Sequence, residues 1–323
     1  MIAHRGASGY RPEHTAAAYQ LAITQGADAV EPDLVPTSDG VLVVRHENEI
    51  SGTTDVASHP EFADRQTTKT IDGIPLTGWF TEDFTWSELV TLRTRERLGK
   101  VRPGNARFDG KQGILRLADL IDLLLAADRR VLMVAELKHA TYFESIGLAL
   151  PEIFAADIAR WAKPDNLVVE SFEQTVLGEV QELDVPGRVT FLAEASGAPA
   201  DQVARFGPAA RGYSDYLTDA GLARLAASVD GVSVEKALLL EMDDGGTVIG
   251  TTDLATRARS TGLETYTWTL RAENQFLEKN FRRGPRARDL GHWDREFDLI
   301  MRSGVDGVFA DQPDLALRAR AAL

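Results

Sequence analysis

The chain has 323 residues, 44% of them hydrophobic and 26% charged, a balance that allows a large buried core. Its 49 acidic against 35 basic side chains leave a net charge of -14, which repels a phosphate backbone and argues against nucleic acid as a partner. The absence of cysteine excludes disulfides, thiolate nucleophiles and cysteine zinc sites, and no run of about 18 apolar residues is present to span a bilayer.

In chain order, short β-branched runs predict strands over residues 1–4, 29–35, 41–46, 131–138, 166–172, 188–193, 231–235, 264–270 and 307–310. Amphipathic stretches predict helices between most of them, over 15–25 (capped at His14 or Glu13), 116–127, 146–162, 173–183, 217–228, 252–260, 294–303 and 313–321. Repeated βα units of this number point to an eight-stranded TIM (β/α)8 barrel rather than an open sheet. The surplus strand is 41–46, because Ser38-Asp39-Gly40 is a tight-turn signal that couples it to the strand before it. Two segments break the rhythm. Residues 48–113 are too long for a βα loop and read as a small inserted subdomain after the third predicted strand, while 272–291 form a second, shorter insertion rich in arginine. The expected organisation is one barrel domain over 1–323 carrying both insertions.

Charged residues gather at the ends of the predicted strands. Glu31 and Asp33 are two apart in an apolar run, so both carboxylates point to the same side. Such a pair repels itself when buried, at a cost of several kcal/mol, roughly, and calls for a divalent cation or basic neighbours. Glu136 and Lys138 repeat the spacing after Val131-Leu132-Met133-Val134-Ala135. Glu136 would complete a hard three-carboxylate oxygen site suited to calcium or magnesium, and Lys138 would present a point charge to a phosphate oxygen. His4 and His46 close two further runs, and two imidazoles with an ordinary pKa near ~6.5 can divide general-base and general-acid work. His14, His59, His139 and His292 lack that position and read as structural or surface residues.

These motifs, His4-Arg5-Gly6-Ala7, Arg11-Pro12-Glu13-His14-Thr15, Glu31-Pro32-Asp33-Leu34, Arg45-His46-Glu47, Glu136-Leu137-Lys138 and Gly304 through Pro313, together resemble the glycerophosphodiester phosphodiesterase family. The resemblance runs in order across essentially the whole chain and is to the longer bacterial members, which carry an insertion after the second histidine. It implies a TIM barrel, one divalent cation (Ca2+ or Mg2+) on Glu31, Asp33 and Glu136, acid/base roles for His4 and His46, and phosphate contacts from Arg5 and Lys138. It also draws Phe172 and Trp268 into the expected site, as walls of a glycerol pocket. Two departures stand out: His14 where asparagine is frequent, and Pro32 between the two acids.

The implied reaction is hydrolysis of a small-molecule glycerophosphodiester to sn-glycerol 3-phosphate and an alcohol. Two alternatives remain open: hydrolysis of glycerol-phosphate polymers such as teichoic acid, and an inactive barrel that only binds glycerophosphodiesters. The family type leans toward a secreted or periplasmic compartment, although no signal-peptide pattern precedes the first predicted strand. The oligomeric state is left open.

Overall fold

The computed structural model describes residues 1–323. Its strands are β1 (Ile2–His4), β2 (Ala29–Glu31), β3 (Asp33–Pro36), β4 (Leu42–Val44), β5 (Thr67–Ile71), β6 (Ile74–Gly78) and β7 (Leu132–Leu137). They continue as β8 (Leu167–Ser171), β9 (Arg188–Ala193), β10 (Gly231–Glu235), β11 (Leu240–Met242), β12 (Val248–Thr251), β13 (Glu264–Leu270) and β14 (Gly307–Ala310). Parallel pairing runs β1-β14-β13-β10-β9-β8-β7, then from β7 to both β2 and β3, and β2 returns to β1. The ring is therefore closed. With β2 and β3 as one interrupted strand it has eight members, the TIM barrel.

Pro32 makes the interruption because it has no N–H to give the ladder. The register does not slip: Val30 faces Met133 before the break and Asp33 faces Glu136 after it. Glu31 and Asp33 thus keep to the same side. The surplus strand is accounted for by β4, which pairs antiparallel to β3 outside the ring, with Pro36 opposite Leu42 and Leu34 opposite Val44. It ends at Val44, so His46 follows the strand on a loop and does not close it. The hairpin rises past the barrel rim and returns, and the Arg45 N–H bonds to the Asp33 carbonyl at 3.0 Å. That return carries His46 back to the level of Asp33.

The helices form a shell. Ala16–Gln25 is capped by Thr15, whose hydroxyl accepts the Ala18 N–H at 3.1 Å, and not by His14 or Glu13. The predicted helix over 146–162 is shorter: Ala140–Ser145 ends before Gly147 (φ 82°), and a new helix, Leu150–Ile158, starts with Pro151 in its first turn. Helix Asp219–Leu225 occupies the middle of the predicted 217–228, capped by the Thr218 hydroxyl. Within 48–113, β5 and β6 form a hairpin. Ile50, Val56, Phe62, Trp79, Phe84, Leu89 and Leu92 of this segment share one continuous apolar cluster with the layer between barrel and helices. Residues 272–291 hold a single 3-10 turn, Lys279–Phe281, and the hairpin β11–β12 was not anticipated from the sequence.

Inside the barrel a separate small cluster, Ile2, Ala29, Val134, Val168 and Phe309, packs with Leu132, Tyr266 and Trp268. Strand side chains repeat every second residue, so the next inward layer toward the carboxyl ends is His4, Glu31, Glu136, Glu170 and Asp311. An apolar plug therefore lies beneath a charged layer.

Candidate active site

A cleft of about 880 Å3 opens above that layer, lined among others by His4, Arg5, Glu31, His46, Glu136, Lys138, Phe172 and Trp268. The structure thus brings all but one of the expected residues to its wall. Asp33 stands just behind, 1% exposed, in contact with Arg5, His14 and Lys138.

The carboxylates are short of donors. Glu31 accepts the Arg5 N–H on Oε2 at 2.7 Å, leaving Oε1 buried with no hydrogen bond. Asp33 Oδ2 meets His14 Nε2 at 2.8 Å and Arg5 Nε at 3.2 Å, leaving Oδ1 in the same condition. Glu170 Oε2 is also unpaired, and Glu136 Oε1 has the Lys138 ammonium 2.9 Å away but outside hydrogen-bond alignment. The oxygens that converge most tightly are those of Glu31, Glu136 and Glu170, all within 4.8 Å of one another. Glu170 is thus a candidate ligand beside the expected three. Like Glu31 and Glu136 it lies two residues past an inward apolar position, Val168, but it lacks the second charge two residues on that marked those acids in the sequence.

Burying these acids together drives their protonation. Glu31 is raised well above the carboxylate range by burial and then by Asp33, and Glu170 by burial and then by Glu136. Glu136 is pushed up to about 8, because burial and Asp33 outweigh the adjacent Lys138. Asp33 goes the other way: burial would raise it, but Arg5, His46 and Lys138 hold it well below its ordinary value. Buried oxygens without donors, on groups that resist ionising, are the donor set that a hard cation would suit.

The two imidazoles differ in support. His4 at the end of β1 has Nδ1 2.6 Å from Asp311 Oδ1, and burial followed by Arg5 lowers it to about 4. His46 is lowered to about 3 by burial, Arg5 and Lys138; its Nδ1 lies 2.7 Å from Glu47 Oε1, off the hydrogen-bond direction. Arg5 is less free than a phosphate ligand would be. Its guanidinium lies 3.3 Å from Glu13 and 3.2 Å from Asp33, and its backbone is held at φ 59°. Lys138 keeps its charge despite burial through Glu136 and Asp33, and its Nζ stands 5.5 Å from the Phe172 ring centre. Phe172 and Trp268 meet edge to face at 5.7 Å, and the Trp268 Nε1 is buried without a partner.

His14 is fully buried and joins Tyr19 Oη at 2.8 Å to Asp33. His139 is no surface residue. It lines the cleft, with Nδ1 2.6 Å from Asp72 at the tip of the β5–β6 turn and Nε2 3.3 Å from Glu47. Sequence gave no hint of this, since Asp72 comes from the insertion. The arginines of 272–291, including Arg282, Arg283, Arg286 and Arg288, are exposed and do not line the cleft.

A closed parallel barrel with a carboxylate layer under a cleft defines a TIM barrel whose acid-lined pocket lies at the carboxyl ends of the strands. The model of the glycerophosphoryl diester phosphodiesterase family matches residues 4–315, and the chain belongs to that family of phosphodiester hydrolases. Glycerophosphodiester phosphodiesterase GDPD6 of Arabidopsis thaliana is 30% identical over 326 residues, covering 96% of this chain and 82% of that protein. A probable glycerophosphodiester phosphodiesterase 1 of Mycobacterium tuberculosis is 31% identical over 192 residues, 56% of this chain and 59% of its own length. Among solved structures, a putative glycerophosphoryl diester phosphodiesterase from Silicibacter pomeroyi superimposes with a TM-score of 0.70 at 22% identity, covering 99% of this chain and 92% of that one. A phosphodiesterase of Oleispira antarctica, in complex with the product sn-glycerol-3-phosphate, gives 0.64 at 18% identity, over 99% and 96%. At these identities the structural likeness shows the shared barrel. No helix is long and apolar enough to cross a membrane.

Proposed function

We propose that this chain hydrolyses glycerophosphodiesters to sn-glycerol 3-phosphate and an alcohol, with a divalent cation, Ca2+ or Mg2+, held by Glu31, Asp33 and Glu136 and adjoined by Glu170. The single observation that carries this reading is the set of buried carboxylate oxygens without hydrogen-bond donors, beside two imidazoles on one cleft. The product named for the Oleispira antarctica neighbour points to the same chemistry. A bound cation would supply charge neutralisation and Lewis acidity to the phosphoryl oxygens.

The chain's own groups do the rest. Lys138 supplies a positive charge to the phosphate, and Arg5 balances the field of Glu13 and Asp33 beneath it. One of His4 and His46, kept neutral by burial, removes a proton from the attacking hydroxyl or water; the other has to enter the step as imidazolium, a form the phosphate anion favours, and gives its proton to the leaving alcohol. Phe172 and Trp268 provide an apolar wall for the glycerol carbons.

The test is a coupled glycerol 3-phosphate assay on glycerophosphocholine, run with chelator and then with each cation restored. Product release should stop with chelator and return with one cation. His4→Ala and His46→Ala should each lose at least ~1,000-fold in kcat while remaining folded. Wild-type rates in either variant would refute the assignment. The cleft lies at the upper end of the ~300–1,000 Å3 usual for ligand sites, which favours a second reading, a glycerol-phosphate polymer. Product analysis on teichoic acid beside glycerophosphocholine separates the two.

A further inference from the structure

Beneath His4 lies a buried polar knot that the reaction as described does not use. Asp311, 2% exposed, follows the end of the last barrel strand, two residues past Phe309, and so belongs to the charged layer. Its Oδ1 faces His4 Nδ1 at 2.6 Å, while Oδ2 accepts from Arg102 at 2.6 Å and from Arg271 Nε at 2.8 Å. Arg102 comes from the 48–113 insertion, yet its side chain is only 5% exposed. The same guanidinium donates to Glu273 Oε1 at 2.7 Å and to the Ser8 carbonyl at 3.2 Å. Asn105, also from the insertion, donates to that carbonyl at 2.9 Å, and the Ser8 hydroxyl donates to the His4 carbonyl at 2.8 Å.

A carboxylate flanked by two guanidiniums stays ionised and can only accept, so the proton between Asp311 and His4 belongs to Nδ1. We propose that Asp311, clamped by Arg102 from the insertion, is the positioning residue of His4: it fixes the tautomer with Nδ1 protonated and Nε2 bare on the cleft side. When Nε2 takes a proton from the nucleophile, the Nδ1 proton stays in place and the Asp311 charge stabilises the imidazolium. No bond to Asp311 forms or breaks. His46 has no equivalent, since Glu47 is 40% exposed and out of line with the ring. The insertion is in this way part of the catalytic apparatus. This inference rests on His4 being the proton-transfer group proposed above.

Asp311→Asn tests it sharply. The carboxamide oxygen would turn to Arg102 and Arg271, so its NH2 would face His4 and demand the opposite tautomer. The 15N ring signals of His4, assigned by their loss in His4→Asn, are measured in the cation-free protein. They should show protonated Nδ1 and bare Nε2 in the wild type, and the reverse in Asp311→Asn. On glycerophosphocholine, Asp311→Asn should lower kcat on the order of 100-fold or more with KM within about threefold, and Arg102→Lys should lower kcat by about tenfold. Protonated Nε2 in the wild type would overturn the inference even if Asp311→Asn does not fold. Full kcat in a folded Asp311→Asn would overturn it as well. Loss of activity in His4→Ala beside full activity in Asp311→Asn sinks this inference alone, whereas an active His4→Ala sinks the reading it rests on.

Discussion

At the scale of single residues, the site is a balance between acids that burial keeps protonated and a cation that would ionise them. Glu136 has a folded value of about 8 against its ordinary 4.5, so the folded protein binds more protons than the unfolded chain between those values. Stability without cation therefore falls as pH rises through that window. A divalent cation competes with those protons. Its stabilisation, read as a thermal shift at fixed cation concentration, should grow from pH 6 to pH 9, with protons released on binding. Glu170→Gln keeps the shape and removes one ligand charge, and should weaken cation binding by at least ~10-fold by calorimetry. An unchanged affinity would confine the site to Glu31, Asp33 and Glu136. His139 has the same pH slope, although in its case the fold favours the charged form. Burial opposes its charge, but bonds to Asp72 and Glu47 hold it up at about 9 from an ordinary 6.5. Its contribution to stability is full below 6.5 and lost as pH rises through about 9. His139→Asn should remove that loss from the pH profile of chemical denaturation.

At the scale of elements, what could be read in advance followed the two-residue period of the strands. Glu31, Asp33 and Glu136 were legible because each has a second charged residue two positions away beside an apolar run. Glu170 and Asp311 stand alone, two residues past inward Val168 and Phe309, and one acid at the end of one strand looks like an ordinary solvated terminus until the ring closes. His46 was legible as a residue and misplaced as geometry. It reaches the site by the return of β4, and no local pattern distinguishes a returning strand from one inside the barrel. The contacts of Arg102 and His139 depend on where 48–113 folds back, which is tertiary information absent from any short window. One turn offers a direct check. Gly6 lies at φ 79°, and a Cβ there would stand 2.7 Å from the Ala18 carbonyl carbon and 2.9 Å from the Tyr19 nitrogen. Gly6→Ala should cost about 2 kcal/mol or more in denaturant titrations and displace the His4 loop from the helix Ala16–Gln25. A loss below ~0.5 kcal/mol would mean that the loop yields freely.

Over the whole molecule, the net charge of -14 sets a field that an anionic diester must cross before it meets Lys138. Raising ionic strength shortens the reach of that field, to about 10 Å at 0.1 M. The kcat/KM for glycerophosphoglycerol, a net anion, should therefore rise with added inert salt, while that for zwitterionic glycerophosphocholine should change much less. Equal salt responses would place the approach path outside the field of the acidic surface.

The apolar plug of Ile2, Ala29, Val134, Val168 and Phe309 makes the barrel a well with one opening. Both halves of a cleaved diester must leave through the mouth by which the intact molecule arrived, so the half lodged against the floor departs second. That half should compete with fresh diester in product-inhibition kinetics, and the half nearer the rim should inhibit without competing.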